Sequence, residues 1–315
     1  MSALLLAITR WDPKSWAERF RSLWPGREIR LWPDGVGNPS DIAYACAWMP
    51  PPGLLATLPN LRAIFSLGAG VDHLLADPAL PDVPIARIVD PDLTMRMREY
   101  VTLHVLLHHR RQRLYDAQQR ERRWLDHEQP AANEVSIGIM GIGELGRDAA
   151  TTLAQLGFNV AGWSRTPKSI AGVETFHGED GVDAFLARSE ILVVLLPNTP
   201  TTQGLLNLRL LRKLKRDGAL GGAYLINAGR GNLQVDADVI AALDEGSLAG
   251  ASLDVFPTEP LTKDSPLWSH PKVFVTPHNA AASVARTLVG NVLKQIENFE
   301  AGYPLRNLVD RKAGY

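Results

Sequence analysis

The sequence predicts an α/β protein built on parallel β-sheets. Short apolar runs alternate with helical stretches along most of the 315 residues, which is typical of parallel strands flanked by helices. A more regular series of such units begins at residue 135 and supplies six strand candidates, the number in a doubly wound open sheet. A chain of this length can form two domains, each with its own core.

The strands are predicted from short apolar runs bounded by polar or turn-forming residues. The first half of the chain contains the candidates Leu4–Ile8, Ala43–Trp48 and Ala63–Ser66. Residues 77–92 are rich in proline and aspartate, which predicts irregular connections. The second half contains the candidates Val135–Met140, Asn159–Trp163, Ile191–Leu195, Ala223–Ile226, Gly250–Val255 and Val273–Thr276.

Two helices are predicted from apolar spacing. One long helix runs from about Met95 to Trp124, with a basic face at Arg110, Arg111 and Arg113. Its histidines, at positions 104, 108 and 109, are interpreted as structural, because no carboxylate or cysteine cluster accompanies them. No metal site is predicted. The second helix follows residue 143, packs through Leu145, Ala149, Leu153 and Leu156, and ends at Gly157.

Composition excludes several classes of partner. The formal net charge is −1 and no long basic run occurs, so nucleic acid or an anionic membrane is not the expected partner. The apolar start of the chain lacks a basic segment and predicts a strand rather than a signal peptide. Nowhere are there ~18 consecutive apolar residues that would predict a membrane span. The single Cys46 allows no internal disulfide and indicates a reducing compartment, so we expect a cytoplasmic protein.

A glycine-rich turn follows the strand candidate that ends at Met140. Gly141 permits a tight turn, Gly143 allows the backbone to approach a pyrophosphate, and Gly146 allows the next helix to pack closely on the sheet. The free N–H groups at the start of that helix favour phosphate binding. The turn therefore predicts a dinucleotide site.

The end of the next strand indicates which dinucleotide is bound. NAD-dependent proteins usually carry an acid there, which accepts hydrogen bonds from the ribose 2′-hydroxyl. This chain has Arg165, with Lys168 close behind, and no acid. An arginine can bind a 2′-phosphate through its planar guanidinium. The sequence therefore predicts NADP(H), with NAD(H) less favoured; the alternative is that both side chains are solvated loop charges.

Three ionisable residues follow successive strands of the second series. Arg230, Glu259 and His278 each come just after a strand candidate, where open α/β sheets bind ligands. Histidine can protonate a carbonyl oxygen near neutral pH, a carboxylate can hold its ring, and arginine can bind a carboxylate and polarise a carbonyl. Asp254 is expected beside the nicotinamide carboxamide or beside the acid–histidine pair. Singly, each would be an ordinary loop residue; together they predict a keto-acid reductase.

These motifs resemble the D-isomer-specific 2-hydroxyacid dehydrogenases, and within them the glyoxylate/hydroxypyruvate reductase A group. The resemblance covers nearly the whole chain. It implies a Rossmann-type cofactor domain, residues 99–284, inserted into a flavodoxin-like substrate domain, residues 1–98 plus 285–315. The supporting segments are 67–72, 138–146, 162–165, 196–199, 253–260, 276–278 and the closing residues 309–315.

The resemblance also implies site residues. Arg230, Glu259 and His278 match the family's carbonyl-binding arginine and acid–histidine pair. A loop of Leu67, Gly68, Ala69 and Gly70 matches the one whose N–H groups hold the substrate carboxylate. Trp48 matches an aromatic wall of the substrate pocket, although it can also be a core residue. To the cofactor site the resemblance adds Glu144, Leu145, Ser164, Leu196, Pro197, Thr202 and Ala228. It further implies a homodimer formed through the cofactor domains.

Three functions are compatible with the sequence. The leading one is reduction of glyoxylate and hydroxypyruvate by NADPH, which gives glycolate and D-glycerate. The second is a 2-hydroxyacid dehydrogenase acting on larger 2-keto acids. The third, of a different class, is a non-catalytic protein that senses NAD(P).

Overall fold

A computed structural model describes residues 2–315 and divides the chain into two compact units. The first unit consists of the chain up to Leu93 together with Ser283–Tyr315. The second consists of Thr94–Ala282 and is therefore inserted into the first along the sequence. Within the described residues, no helix combines the length and apolarity needed to span a membrane.

The first unit contains a five-stranded parallel sheet of flavodoxin-like order β2-β1-β3-β4-β5. Both faces are covered, so its central strands are almost entirely buried, as apolar runs in parallel sheets are. Two short edge strands, β2 and β5, were not predicted, and β5 lies within the stretch expected to be irregular. The strands are β1 (Ala3–Ile8), β2 (Ile29–Leu31), β3 (Ile42–Trp48), β4 (Ala63–Ser66) and β5 (Ile85–Ala86).

Helices cover the first sheet. Trp16 and Phe20 of α1 and Leu288 and Val292 of α9 pack in one core cluster with the side chains of β1 and β3. A second cluster lies on the opposite face of the sheet and includes Leu55. The helices of this unit are α1 (Lys14–Leu23), α2 (Asp72–Leu75) and α9 (Ala285–Glu300).

The second unit contains a seven-stranded parallel sheet of order β12-β11-β10-β9-β6-β7-β8. The prediction of six strands was one short. The missing strand, β8, lies at the edge, and its two end residues are exposed, so it lacks a continuous apolar run. The strands are β6 (Ser136–Met140), β7 (Asn159–Ser164), β8 (Glu174–His177), β9 (Ile191–Val194), β10 (Tyr224–Asn227), β11 (Gly250–Leu253) and β12 (Val273–Val275).

The long predicted helix is two helices. The chain breaks at Arg111, whose φ of +56° is left-handed and incompatible with a continuous α-helix. The predicted basic face was also wrong in part, because Arg113 stacks 4.0 Å over the Phe274 ring and donates to the Val273 carbonyl. The remaining helices are α3 (Pro91–His109), α4 (Gln112–Arg120), α5 (Glu144–Gln155), α6 (Val182–Arg188), α7 (Leu208–Leu211) and α8 (Asp236–Glu245).

The helix after the glycine turn ends where the sequence predicts. Gly157 has a φ of +92°, and its N–H donates to Ala154 while the next N–H, of Phe158, donates to Leu153. This is a Schellman C-cap. Leu156 was wrongly expected on the packed face; it is the C-cap residue and is 46% exposed.

Candidate active site

The glycine turn connects β6 to α5 through contacts that only glycines allow. Gly141 has a φ of +106°. A β-carbon added at Gly146 would lie 2.0 Å from the Gly141 carbonyl oxygen, so the helix approaches the turn at backbone distance. The position of a β-carbon on Gly143 has no heavy atom within 4 Å. The turn thus combines close packing inside with open space outside, which fits a bound pyrophosphate.

The N-terminus of α5 faces this turn without a capping side chain. Gly143 is the N-cap residue and supplies no side-chain hydrogen bond to the first helical turn. Glu144 and Leu145 open the helix, exposed and half-buried respectively. The N–H groups of an uncapped first turn can be satisfied by an anion.

Basic side chains follow β7, which lies next to β6 in the sheet. Ser164 ends the strand, is buried, and donates to the Thr166 carbonyl at 2.8 Å. Arg165 is exposed. Lys168 reaches back so that its ammonium donates to the Ile142 carbonyl at 3.3 Å. A positive charge therefore lies against the glycine turn itself.

The loops after β9 and β10 hold the other expected cofactor residues. Thr202 braces the first loop, because its hydroxyl donates to the Pro197 carbonyl at 2.8 Å and accepts from the Thr199 N–H at 2.8 Å. Leu196 and Ala228 are buried at the start of their loops. The glycine turn, the basic residues and these two loops therefore follow β6, β7, β9 and β10, which are consecutive neighbours in the sheet.

Glu259 and His278 are in contact. The Nδ1 atom of His278 lies 2.8 Å from Glu259 Oε2, while Glu259 Oε1 accepts from the Phe256 N–H at 3.1 Å. The side chains are 38% and 22% exposed for His278 and Glu259 respectively. A carboxylate at Nδ1 fixes the ring orientation and selects which ring nitrogen faces away from it.

Asp254 holds the backbone around His278. Its main-chain oxygen accepts from the His278 N–H at 2.8 Å, and its two carboxylate oxygens accept from Asn279 and Ala280 at 3.0 Å each. One buried residue thus binds three successive N–H groups. Asp254 was expected beside the nicotinamide carboxamide or beside the acid–histidine pair, and this backbone contact was not predicted.

Arg230 lies in a loop that packs against the Glu259 loop. A β-carbon added at Gly231 would lie 1.9 Å from the carbonyl carbon of Phe256, the residue that also donates to Glu259. Asn227 braces the Arg230 loop by donating to the Arg230 carbonyl at 3.2 Å. The strands that carry the three ionisable residues, β10, β11 and β12, are neighbours in the sheet.

Of the expected substrate-binding residues, Arg230 and His278 lie in the second unit and the others lie in the first. The Ser66 hydroxyl lies within hydrogen-bond distance of the carbonyl oxygens of Gly68, at 3.0 Å, and Gly70, at 3.3 Å, and donates its one proton within the turn after β4. Within residues 2–315 the N–H groups of Ala69 and Gly70 donate no hydrogen bond. Leu67 is fully buried. A turn whose N–H groups donate no backbone hydrogen bond suits an anion.

Trp48 packs directly on this turn. A β-carbon added at Gly68 would lie 1.9 Å from Cζ3 of Trp48, so the residue under the ring must be glycine. The indole stacks on Trp11, with ring centroids 5.0 Å apart, and meets the His73 ring at 4.8 Å. The side chain of Trp48 is half-buried and packs on aromatic neighbours.

The histidines of α3 are engaged in packing. His104 Nδ1 and His108 Nε2 each lie 2.8 Å from the Ser252 hydroxyl. Burial lowers the pKa of His104 to about 4 and is the main cause that lowers the pKa of His108 to about 3, so both rings are neutral at pH 7. No group of three or more metal-ligating side chains occurs in the described part of the chain.

A parallel sheet with an uncapped glycine turn at one strand end and an acid–histidine pair at another defines a dinucleotide-dependent oxidoreductase. Residues 102–280 match the family model described as D-isomer specific 2-hydroxyacid dehydrogenase, NAD binding domain. Together with the relatives described next, this match shows that the chain belongs to that family, and it confirms the resemblance seen in the sequence.

Similar proteins extend the match to the whole chain. The glyoxylate/hydroxypyruvate reductase A of Yersinia enterocolitica is 40% identical over 96% of this chain and 97% of its own length. A solved structure of the NADPH-dependent glyoxylate/hydroxypyruvate reductase from Sinorhizobium meliloti, with NADP and sulfate, is 46% identical with a TM-score of 0.95 and covers both chains completely. A D-isomer specific 2-hydroxyacid dehydrogenase from Xanthobacter autotrophicus, with NADPH and MES, is 42% identical with a TM-score of 0.94, covering 100% of this chain and 99% of its own.

Proposed function

We propose that the protein is a reductase that transfers a hydride from NADPH to the carbonyl carbon of a small 2-keto acid. Glyoxylate would give glycolate, and hydroxypyruvate would give D-glycerate. The observation that carries the proposal is the His278–Glu259 contact of 2.8 Å, in the unit that contains the glycine turn. The printed functions of the similar proteins from Yersinia enterocolitica and Sinorhizobium meliloti support it.

The cofactor would be NADP(H), with NAD(H) less favoured. Bound there, it would supply the hydride. Gly141, Gly143 and Gly146 would receive the pyrophosphate at the start of α5, and Arg165 and Lys168 would receive the 2′-phosphate. Two similar proteins were solved with NADP or NADPH. The further cofactor contacts would come from Glu144, Leu145, Ser164, Leu196, Pro197, Thr202, Ala228 and Asp254.

The ionisable residues would divide the acid–base work. Arg230 would bind the substrate and polarise its carbonyl as charge develops on the oxygen. His278 would donate the proton from Nε2 to that oxygen, because Nδ1 is directed at Glu259. The Glu259 carboxylate would hold the ring in place for this transfer. The ring would then recover a proton from solvent, to which its side chain is 38% exposed.

The first unit would bind and select the substrate. Leu67 and Gly68 shape the turn whose Ala69 and Gly70 N–H groups would bind the substrate carboxylate. Trp48 would limit the size of the keto-acid side chain. We propose that residues 1–98 plus 285–315 act as the substrate domain and residues 99–284 as the NADP-binding domain, and the two compact units support this assignment.

We propose a cytoplasmic homodimer formed through the second unit. The outer face of α3 exposes Leu103 and Leu106, at 53% and 37%, and Trp124 farther along is fully exposed. Large apolar side chains grouped on a surface favour association. Sedimentation velocity should give the mass of two chains for the wild type. The variant Leu103→Glu should shift it to one, and a wild-type monomer at micromolar concentration would contradict the proposal.

The proposed activity is tested by initial rates of NADPH and NADH oxidation with glyoxylate, hydroxypyruvate and pyruvate. Fast turnover with NADPH and the first two substrates is expected. A preference for NADH would contradict the role of Arg165 and leave the role of His278 intact. Activity only with bulkier keto acids would indicate a different 2-hydroxyacid dehydrogenase. No turnover with any pair would overturn the proposal in favour of NAD(P) sensing.

A further inference from the structure

A directed chain of hydrogen bonds reaches the His278 loop from helix α3. The Thr276 hydroxyl donates to Asp254 Oδ1 at 2.7 Å. The Tyr100 hydroxyl lies 2.8 Å from the same threonine oxygen. A hydroxyl has one proton, and that of Thr276 is given to the carboxylate, so Tyr100 is the donor to Thr276. The chain therefore runs from Tyr100 through Thr276 to Asp254.

At one end of this chain, Asp254 maintains an unusual backbone conformation. His278 has a φ of +52°, in the left-handed region that is unfavourable for a residue other than glycine. The three N–H groups of His278, Asn279 and Ala280 that bind Asp254 offset this cost. Asp254 thus holds the backbone from His278 to Ala280, which carries the histidine ring.

At the other end, Tyr100 is fixed by buried packing. Its ring lies 4.1 Å from that of His104, which in turn bonds Ser252 at 2.8 Å. Ser252 is on β11, two residues before Asp254. Burial raises the pKa of Tyr100, so its hydroxyl remains a donor across the range in which the enzyme would work. Helix α3 is therefore linked to the carboxyl end of β11 twice. His104 bonds Ser252 directly, and Tyr100 reaches Asp254 through Thr276.

We propose that Thr276 and Tyr100 are positioning residues for His278. They hold the carboxylate of Asp254 so that its oxygens accept from the Asn279 and Ala280 N–H groups. The backbone fixed in this way keeps the His278 ring in contact with Glu259. Their hydrogen bonds run through Asp254 and not to the histidine ring. This inference rests on the proposed function, because it assigns His278 the role of the acid.

The central test compares Thr276→Val, which removes the hydroxyl, with Thr276→Ser, which keeps it. We expect kcat to fall about 10- to 100-fold in the valine variant, which corresponds to a lost hydrogen bond to a charged group. KM for NADPH should change less than kcat, because the contacts of the glycine turn are untouched and only the expected contact of Asp254 is affected. The serine variant should restore kcat. Tyr100→Phe should lower kcat by a smaller factor, about threefold to tenfold.

A second readout needs neither cofactor nor substrate. In ¹⁵N-histidine-labelled protein, the Nδ1–H proton of His278 bound to Glu259 should give a downfield resonance, identified by its loss in His278→Gln. We expect this resonance in the wild type and in Thr276→Ser, and its loss or broadening in Thr276→Val. Ser189→Ala is the control, because it removes a buried hydroxyl that donates to the Phe185 carbonyl, away from the His278 loop.

The outcomes separate the two proposals. Wild-type kcat and an unchanged resonance in Thr276→Val would overturn the positioning role. If that variant does not fold, Tyr100→Phe decides by the same two measurements. A wild-type protein that reduces no keto acid would contradict the proposed function, while the resonance would still test whether Thr276 positions the ring.

Discussion

The two sheets share a topological feature but fill it with different residues. Strand order reverses beside the first strand of each sheet, between β1 and β3 in the first unit and between β6 and β9 in the second. Such switch points leave a crevice at the carboxyl ends of the strands, where α/β proteins bind ligands. In the second unit the turn after β6 contains Gly143, where the position of a β-carbon has no heavy atom within 4 Å. In the first unit Trp48 pairs with Ile8 across the switch point and stacks on Trp11.

This difference shows how one topology can supply two functions. Glycines leave backbone N–H groups accessible, which suits phosphate groups, whereas indole rings fill space and form a wall. The ionisable residues follow the same division, because Arg230, Glu259 and His278 all belong to the second unit. Changes in the second unit should therefore alter rate and cofactor use, and changes in the first should alter substrate selection.

Replacing the acid should give the largest effect. We expect His278→Gln to lower kcat by about 10²- to 10⁴-fold, because the developing charge on the carbonyl oxygen would no longer receive a proton. The Kd for NADPH, measured by its fluorescence, should stay near the wild-type value, because the glycine turn is unchanged. A kcat within about tenfold of wild type would show that the chemistry of the second unit does not depend on this residue.

Removing the cation after β7 should change cofactor use next most strongly. We expect Arg165→Ala to raise KM for NADPH about 10- to 100-fold, the effect of losing a charge-assisted hydrogen bond. KM for NADH should barely change, since NADH has no 2′-phosphate. Arg212→Ala is the control, because it removes an exposed arginine paired with Glu245 elsewhere in the unit. Equal effects on both cofactors would indicate a structural role for Arg165.

Most of the fold was predictable because buried parallel strands are continuous apolar runs. Long central strands such as β1 and β6 were found for this reason. The short edge strands β2, β5 and β8 were missed, because two to four residues are too few to give a periodic signal. The break at Arg111 was missed because an arginine in the left-handed region has no local sequence signature.

The candidate site was predictable where a residue type itself implies chemistry. The contact between Glu259 and His278 was expected on those grounds, and the structure places the two side chains 2.8 Å apart. Thr276 and Tyr100 carried no such signal, since hydroxyl side chains are common and these two lie 176 positions apart in the sequence. The packing of Trp48 on Gly68 also joins residues that are distant in sequence. Only the family resemblance indicated a role for Trp48.

Opening the wall in the first unit should change selectivity more than rate. We expect Trp48→Ala to raise kcat/KM for 2-ketobutyrate relative to glyoxylate by about tenfold, within the ~1–3 kcal/mol that pocket contacts contribute. Trp48→Phe should give a smaller shift in selectivity. It controls for movement of neighbouring side chains into the space that the alanine variant leaves. Trp268→Ala removes an exposed tryptophan and serves as the control. Unchanged selectivity in both Trp48 variants would make this residue part of the core alone.

Acid should weaken the second unit through His104 and His108. Their folded-state pKa values, about 4 and about 3, lie below the ordinary value of 6.5, so the unfolded chain binds their protons first as pH falls. Their contribution to stability is complete above about pH 6.5 and is lost as the pH falls towards 4. Each should contribute ~1.4 kcal/mol per pH unit to the slope of the unfolding free energy in that interval.

Urea titrations between pH 7 and pH 4.5 measure this slope. His108→Gln should flatten it, whatever its effect on stability at pH 7, while removal of the exposed His177 should not. The first unit contains only one histidine, His73, so amide exchange should show acid opening of β10 and β11 before β1 and β3. Simultaneous opening of both sheets, with an unchanged slope in His108→Gln, would show that the buried histidines do not distinguish the two units.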